Sequence, residues 1–134
     1  MAKIKISELS IGDWVKCNGF KATIAGYSAE SGSIHLLTKQ KNKMWFGVES
    51  IEPIPLTPEI LEKNGFEKKN YDNGKMWDWW CDNVLVRKFA DEDIYRFIVA
   101  YNSNHYTTMM VVGKHTHQLQ HALRLAGVEK EIEI

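Results

Sequence analysis

The sequence predicts an α+β fold: a small curled antiparallel sheet of the SH3-like, partly closed kind, a short capped helix, and a second antiparallel sheet carrying a C-terminal helix. Three observations carry that prediction. Short β-type runs alternate with turn residues from Trp14 to Ile54. The stretch IEPIPLTPEILEKNGF, Ile51–Phe66, reads as a strand end, a Pro-locked corner and a helix with both caps. Beyond Thr116 the apolar spacing changes from two residues to that of a helix. The expected organisation is a β-rich half over 1–56 and an α+β half over 57–134, packed as one compact unit.

Taken in order, Ile11-Gly12-Asp13 leads into a strand at Trp14–Cys17, and Asn18-Gly19 is a type I′ hairpin signal because both residues tolerate positive φ. Phe20–Ser28 and Ser33–Lys39 are the next strands, separated by a turn at Ser31-Gly32. Lys41-Asn42-Lys43 turns the chain again, and Met44–Ile54 reads as one strand ended by Pro53 and Pro55. Thr57 then accepts first-turn amides, and Pro58 suits the first helical position, where its missing N–H has no partner to lose. Gly65 at C′ places Phe66 against Leu61 in a Schellman ending.

In the second half, strands are expected at Phe66–Tyr71, Met76–Cys81, Val84–Phe89, Ile94–Tyr101 and Thr107–Val112. Asn73-Gly74, Asp91-Glu92-Asp93 and Asn102–Asn104 are the turns between them. A helix follows from Thr116 to Leu125, closed by Gly127 with Val128 reaching Leu123. The tail EKEIEI, Glu129–Ile134, reads as a frayed end or an edge strand.

Composition narrows the function classes. In 134 residues, 17 basic and 17 acidic side chains give zero net charge, so no global field draws the chain to nucleic acid or an anionic membrane. A local basic patch remains open. No apolar run approaches membrane-spanning length, and MAKIKISELSIGDW has no continuous apolar core of a signal peptide, so a cytoplasmic location and no membrane partner are expected. Cys17 and Cys81 are far apart and outside any CxxC pattern, which points to reduced thiols and not to a thiolate metal site. No cofactor is expected.

The IGDWV strand, the central IEPIPLTPEILEKNGF and the run His117-Gln118-Leu119-Gln120 before an apolar helix and Gly127 together resemble a family of small uncharacterised proteins from phages and prophages of gut Bacteroidetes. The resemblance spans most of the chain in three short patches. It implies a small phage- or mobile-element-encoded protein of the bacterial host cytoplasm, and transfers no catalytic residue. His121 and Ala122 depart from the family's ending, where Asn follows HQLQ and an aromatic comes soon after.

Three constellations carry potential chemistry. His117 and His121 lie at i, i+4 on a helix with His115 nearby, but no acidic or thiolate ligand is close in sequence, so no metal is expected. On a helical wheel Leu119, Ala122, Leu123 and Ala126 form the buried stripe and His117, His121 and Arg124 the solvated face. Gln120, His121 and Arg124 there would grip a phosphate or a partner's carboxylate. The second constellation is Trp77-Asp78-Trp79-Trp80, whose alternation puts Trp77 and Trp79 on one face and Asp78 and Trp80 on the other. With Lys75, Arg87 and Lys88 close by, it reads as a stacking site for a nucleotide or single strand, or as a core pair with one indole at an oligomer interface. A third, scattered set, Asp78, Asp82, Asp91, Asp93, His105 and His117, matches no catalytic motif.

The reading that follows is a non-catalytic binding module for a host or viral macromolecule or a nucleotide-like ligand, using Trp77, Trp79, Trp80, Arg87, His117, Gln120, His121 and Arg124. A homodimer in which the aromatic-rich strand is buried by symmetry, as an edge or as a face, fits it. An enzyme acting on nucleic acid or nucleotides, and a minor phage structural protein, are the alternatives.

Overall fold

The computed structural model describes residues 4–71, 74–100 and 107–134, which form two five-stranded antiparallel sheets with two α-helices. The chain divides into two compact units, Met1–Ile54 and Pro55–Ile134.

In the first unit, β1 (Trp14–Cys17), β2 (Phe20–Tyr27), β3 (Ser33–Thr38), β4 (Lys43–Gly47) and β5 (Ile51–Pro53) assemble in the order β4-β3-β2-β1-β5. The Asn18-Gly19 hairpin forms as expected, with φ of 48° and 88°. Met44–Ile54 is not one strand. A 3-10 turn at Val48–Ser50 breaks it, so that β4 lies at one edge of the sheet and β5, paired with β1, at the other. The run GVESI has no Gly-Pro or Asn-Gly punctuation, and the break is therefore invisible to turn chemistry. Before β1, Asp13 is fully buried and closes a tight turn by accepting from the Ser10 N–H at 2.8 Å. Alternation then sorts the side chains: Val15, Cys17, Ala22, Ile24, Ile34 and Leu36 are buried, and the residues between them face outward.

In the second unit, β6 (Glu67–Tyr71), β7 (Met76–Cys81), β8 (Val84–Phe89), β9 (Tyr95–Ala100) and β10 (Thr107–Gly113) form a meander in the order β10-β9-β8-β7-β6. Helix α1 (Pro58–Lys63) has the anticipated caps. Thr57 Oγ1 accepts from the Ile60 N–H, and the Phe66 and Gly65 amides donate to the Leu61 and Glu62 carbonyls in a Schellman ending. Helix α2 (Thr116–Leu125) ends the same way, with Val128 donating to Leu123 and Gly127 to Arg124. It packs against β9 and β10, burying Leu119, Ala122 and Leu123.

Two expectations for this unit change. The tail is neither frayed nor a strand, because Asn64, at the end of α1, holds Glu133 by both backbone groups. Its Nδ2 donates to the Glu133 carbonyl and its Oδ1 accepts the Glu133 N–H, each at 2.7 Å, and Ile132 and Ile134 are buried. The strand bearing the tryptophans, β7, lies inside the sheet between β6 and β8, so of the two routes to a homodimer, edge or face, the edge is closed. Asn73 and the Asn102–Asn104 turn lie outside the described residues.

Candidate functional site

Register assigns the faces of the second sheet, because directly opposed residues of antiparallel strands share a face. Trp79 opposes Val86, which opposes Phe97, and these three are buried with Val84 and Val99. Trp79 is 2% exposed, tilted against Tyr95 at 6.1 Å between ring centroids, with the Lys68 ammonium 5.9 Å from its ring. It is core, and a stacking platform cannot include it. Trp77 shares its face but is half-buried, opposite Lys88.

The other face carries charge. Asp78 opposes Arg87, which opposes Arg96, and one step along the strands Trp80 opposes Leu85, which opposes Ile98. Asp78 is buried, and Arg87 grips it bidentately, Nε to Oδ1 at 2.8 Å and Nη2 to Oδ2 at 3.0 Å. Two arginines directly across a ladder repel each other. Here each has its own carboxylate: Arg96 Nη2 lies 2.8 Å from Glu92, and its guanidinium stacks 4.6 Å from the Phe89 ring centroid. Half-buried Trp80 completes the row, its indole N–H enclosed without an acceptor among the described residues. Strand alternation anticipated that Trp80 and Asp78 share a side, and the register adds Arg87 to it. Arg96 was missed, although its alternation in β9 was readable, since only the register aligns it with Arg87.

Helix α2 departs from the wheel. His117 is 2% exposed and Gln120 8%, His121 is half-buried and Arg124 is exposed, so His117, His121 and Arg124 do not make one solvated face. The helix is enclosed along a broader stripe than its apolar residues mark out. His115 stacks on His117, with 5.7 Å between ring centroids, and His121 meets His117 edge-on at 5.6 Å. Gln120 faces the interior and Arg124 the surface, which separates the grip expected of Gln120, His121 and Arg124. At the helix start Gln118 Oε1 accepts from the Lys114 and His115 amides, at 2.8 and 3.0 Å.

Among the described residues no group of three or more His, Cys, Asp or Glu side chains is placed to hold a metal ion. Asp82, Asp91 and Asp93 are exposed at turns, and His105 lies outside the described residues. No helix among the described residues is long and apolar enough to cross a membrane. No family model, curated protein or solved structure matches the chain.

Proposed function

We propose that this is a non-catalytic binding module of phage or mobile-element origin, working in the cytoplasm of a bacterial host, whose second unit holds a nucleotide-like ligand on the Trp80–Arg87–Arg96 face. One observation carries the reading: a half-buried indole shares a sheet face with two opposed guanidiniums, one of them fixed by a buried carboxylate. An indole offers stacking to a base, and planar guanidiniums suit phosphate oxygens.

Two finer parts belong to the same reading. A curled, SH3-like closure of the first sheet is supported by its strand order, by the 3-10 turn ahead of β5 and by the register shift in β2 between Ile24 and Gly26, where a bulge bends a strand. Self-association, if the protein is a dimer, falls to the edge strand β10, which exposes Met110 and Val112 and carries no charged residue.

Indole N–H resonances test the ligand site. Titrating the protein with nucleoside monophosphates is expected to move the Trp80 signal and leave that of enclosed Trp79 in place, and native mass spectrometry of gently purified protein is expected to show a ligand mass lost on denaturation. Unmoved indole signals together with a bare polypeptide mass would turn the reading toward a macromolecular partner.

A further inference from the structure

The outward face of the first sheet has a composition unlike the chain as a whole. Register places Trp14, Thr23, Leu37 and Lys43 in one cross-strand row, Lys16 opposite both Lys21 and Glu52, and His35 opposite Trp45. The opposite face is the unit's core, so these residues point to solvent by alternation. Lys21, Lys43, Trp45 and Glu52 are exposed, and Trp14, Lys16, His35 and Leu37 are half-buried. Trp45 is 55% exposed and lies flat on His35, with 4.5 Å between centroids and 12° between planes. Lys39, exposed in the turn after β3, places its ammonium 6.0 Å from the Trp14 ring centroid.

From these residues we propose that this face binds single-stranded nucleic acid, with Trp45 and Trp14 stacking bases and Lys16, Lys21, Lys39 and Lys43 neutralising the backbone. Four lysines stand against two glutamates, Glu52 and Glu49, whose carboxylate lies over Gly47 two residues from Trp45, so the face keeps a net positive charge on a chain of zero net charge. The imidazole of His35 covers one side of the Trp45 indole and leaves the other open for stacking. Lysine stems beside aromatic rings suit a polymer that alternates flat bases with phosphates, not a lipid surface, which would ask for projecting aliphatic side chains. Bases offer their faces only when unpaired, which excludes a duplex held by stacking. β1 and β4 are three strand spacings apart, roughly 14 Å, so Trp14 and Trp45 contact non-adjacent bases and Leu37 and Thr23 floor the interval. The surface lies in the first unit, and the nucleotide site is proposed on the sheet of the second.

Fluorescence anisotropy of the full chain with a labelled 15-nucleotide mixed-sequence single strand, as DNA and as RNA, tests this. Binding is expected, weakening about 20- to 50-fold between 50 and 200 mM salt, as three or four neutralised phosphates require. Trp45→Ala is expected to weaken it about 5- to 150-fold with an unchanged melting temperature, and Trp45→Phe to restore most of it. The double substitution Lys21→Ala, Lys43→Ala is expected to flatten the salt dependence. No binding at 50 mM salt, equal affinity for the duplex of the same sequence, or a Trp45→Ala protein that binds as the parent does would each overturn the proposal.

Discussion

A buried carboxylate is tolerated only where something answers its charge, and Asp78 is answered by a single bidentate guanidinium. Arg87→Ala leaves that carboxylate enclosed and is expected to destabilise the fold by about 3 kcal/mol in urea titrations. Replacing both residues, as Asp78→Leu with Arg87→Leu, should cost much less, because no lone charge remains. Much at this scale was readable from the sequence. Alternation alone put Asp78 and Trp80 on one side and Trp79 on the other. The depth of Trp79 was not, since a strand that alternates between two indole-bearing faces does not say which face the rest of the chain encloses. His117 shows the same gap on a helix: the wheel ranks residues by polarity, and a histidine among them is enclosed when neighbouring elements cover a wider arc than the aliphatic stripe.

Among the elements, both helices stop where Gly65 and Gly127 let them, with φ of 84° and 73°. These endings were legible because capping chemistry is local and each residue has one job. The start of α2 depends on a subtler arrangement. Gln118 reaches back to two amides, and it passes so close to Gly113 that a Cβ there would meet the Gln118 side chain at 2.6 to 2.9 Å. Gly113→Ala is expected to push Gln118 off its amides and cost about 1–2 kcal/mol, the worth of a helix cap, with early hydrogen exchange in the first turn of α2. Nothing in the sequence marks Gly113 for this role, because its backbone conformation is ordinary and the constraint comes from a side chain five residues on. The split of Met44–Ile54 into β4 and β5 was hidden likewise: strand pairing, not composition, decides where that run bends.

At the scale of the whole molecule, burial among the described residues makes three weak acids weaker. The thiols of Cys17 and Cys81 and the phenol of Tyr95 are all raised above their ordinary ranges, chiefly by loss of hydration, with Glu52 adding to the effect at Cys17 and Glu59 at Tyr95. Lys130 opposes the shift at Cys81. Each group therefore favours the folded state fully below its unfolded pKa, and that contribution disappears as pH rises through the folded value. Melting temperature is expected to fall on going from pH 8 to above 10, and Tyr95→Phe to shallow that decline; a flat profile would show that burial does not hold these protons. Strand order in the first unit has a kinetic consequence. Val15 meets Pro53 only across the closing β1–β5 pair, after three hairpins have formed between them, so the last ladder rewards no early step. The hairpins are local, and the ladder that joins the first strand to the fifth is expected to set the rate at which the unit becomes native, so that a truncation at Ile51 should slow refolding no less than it lowers stability.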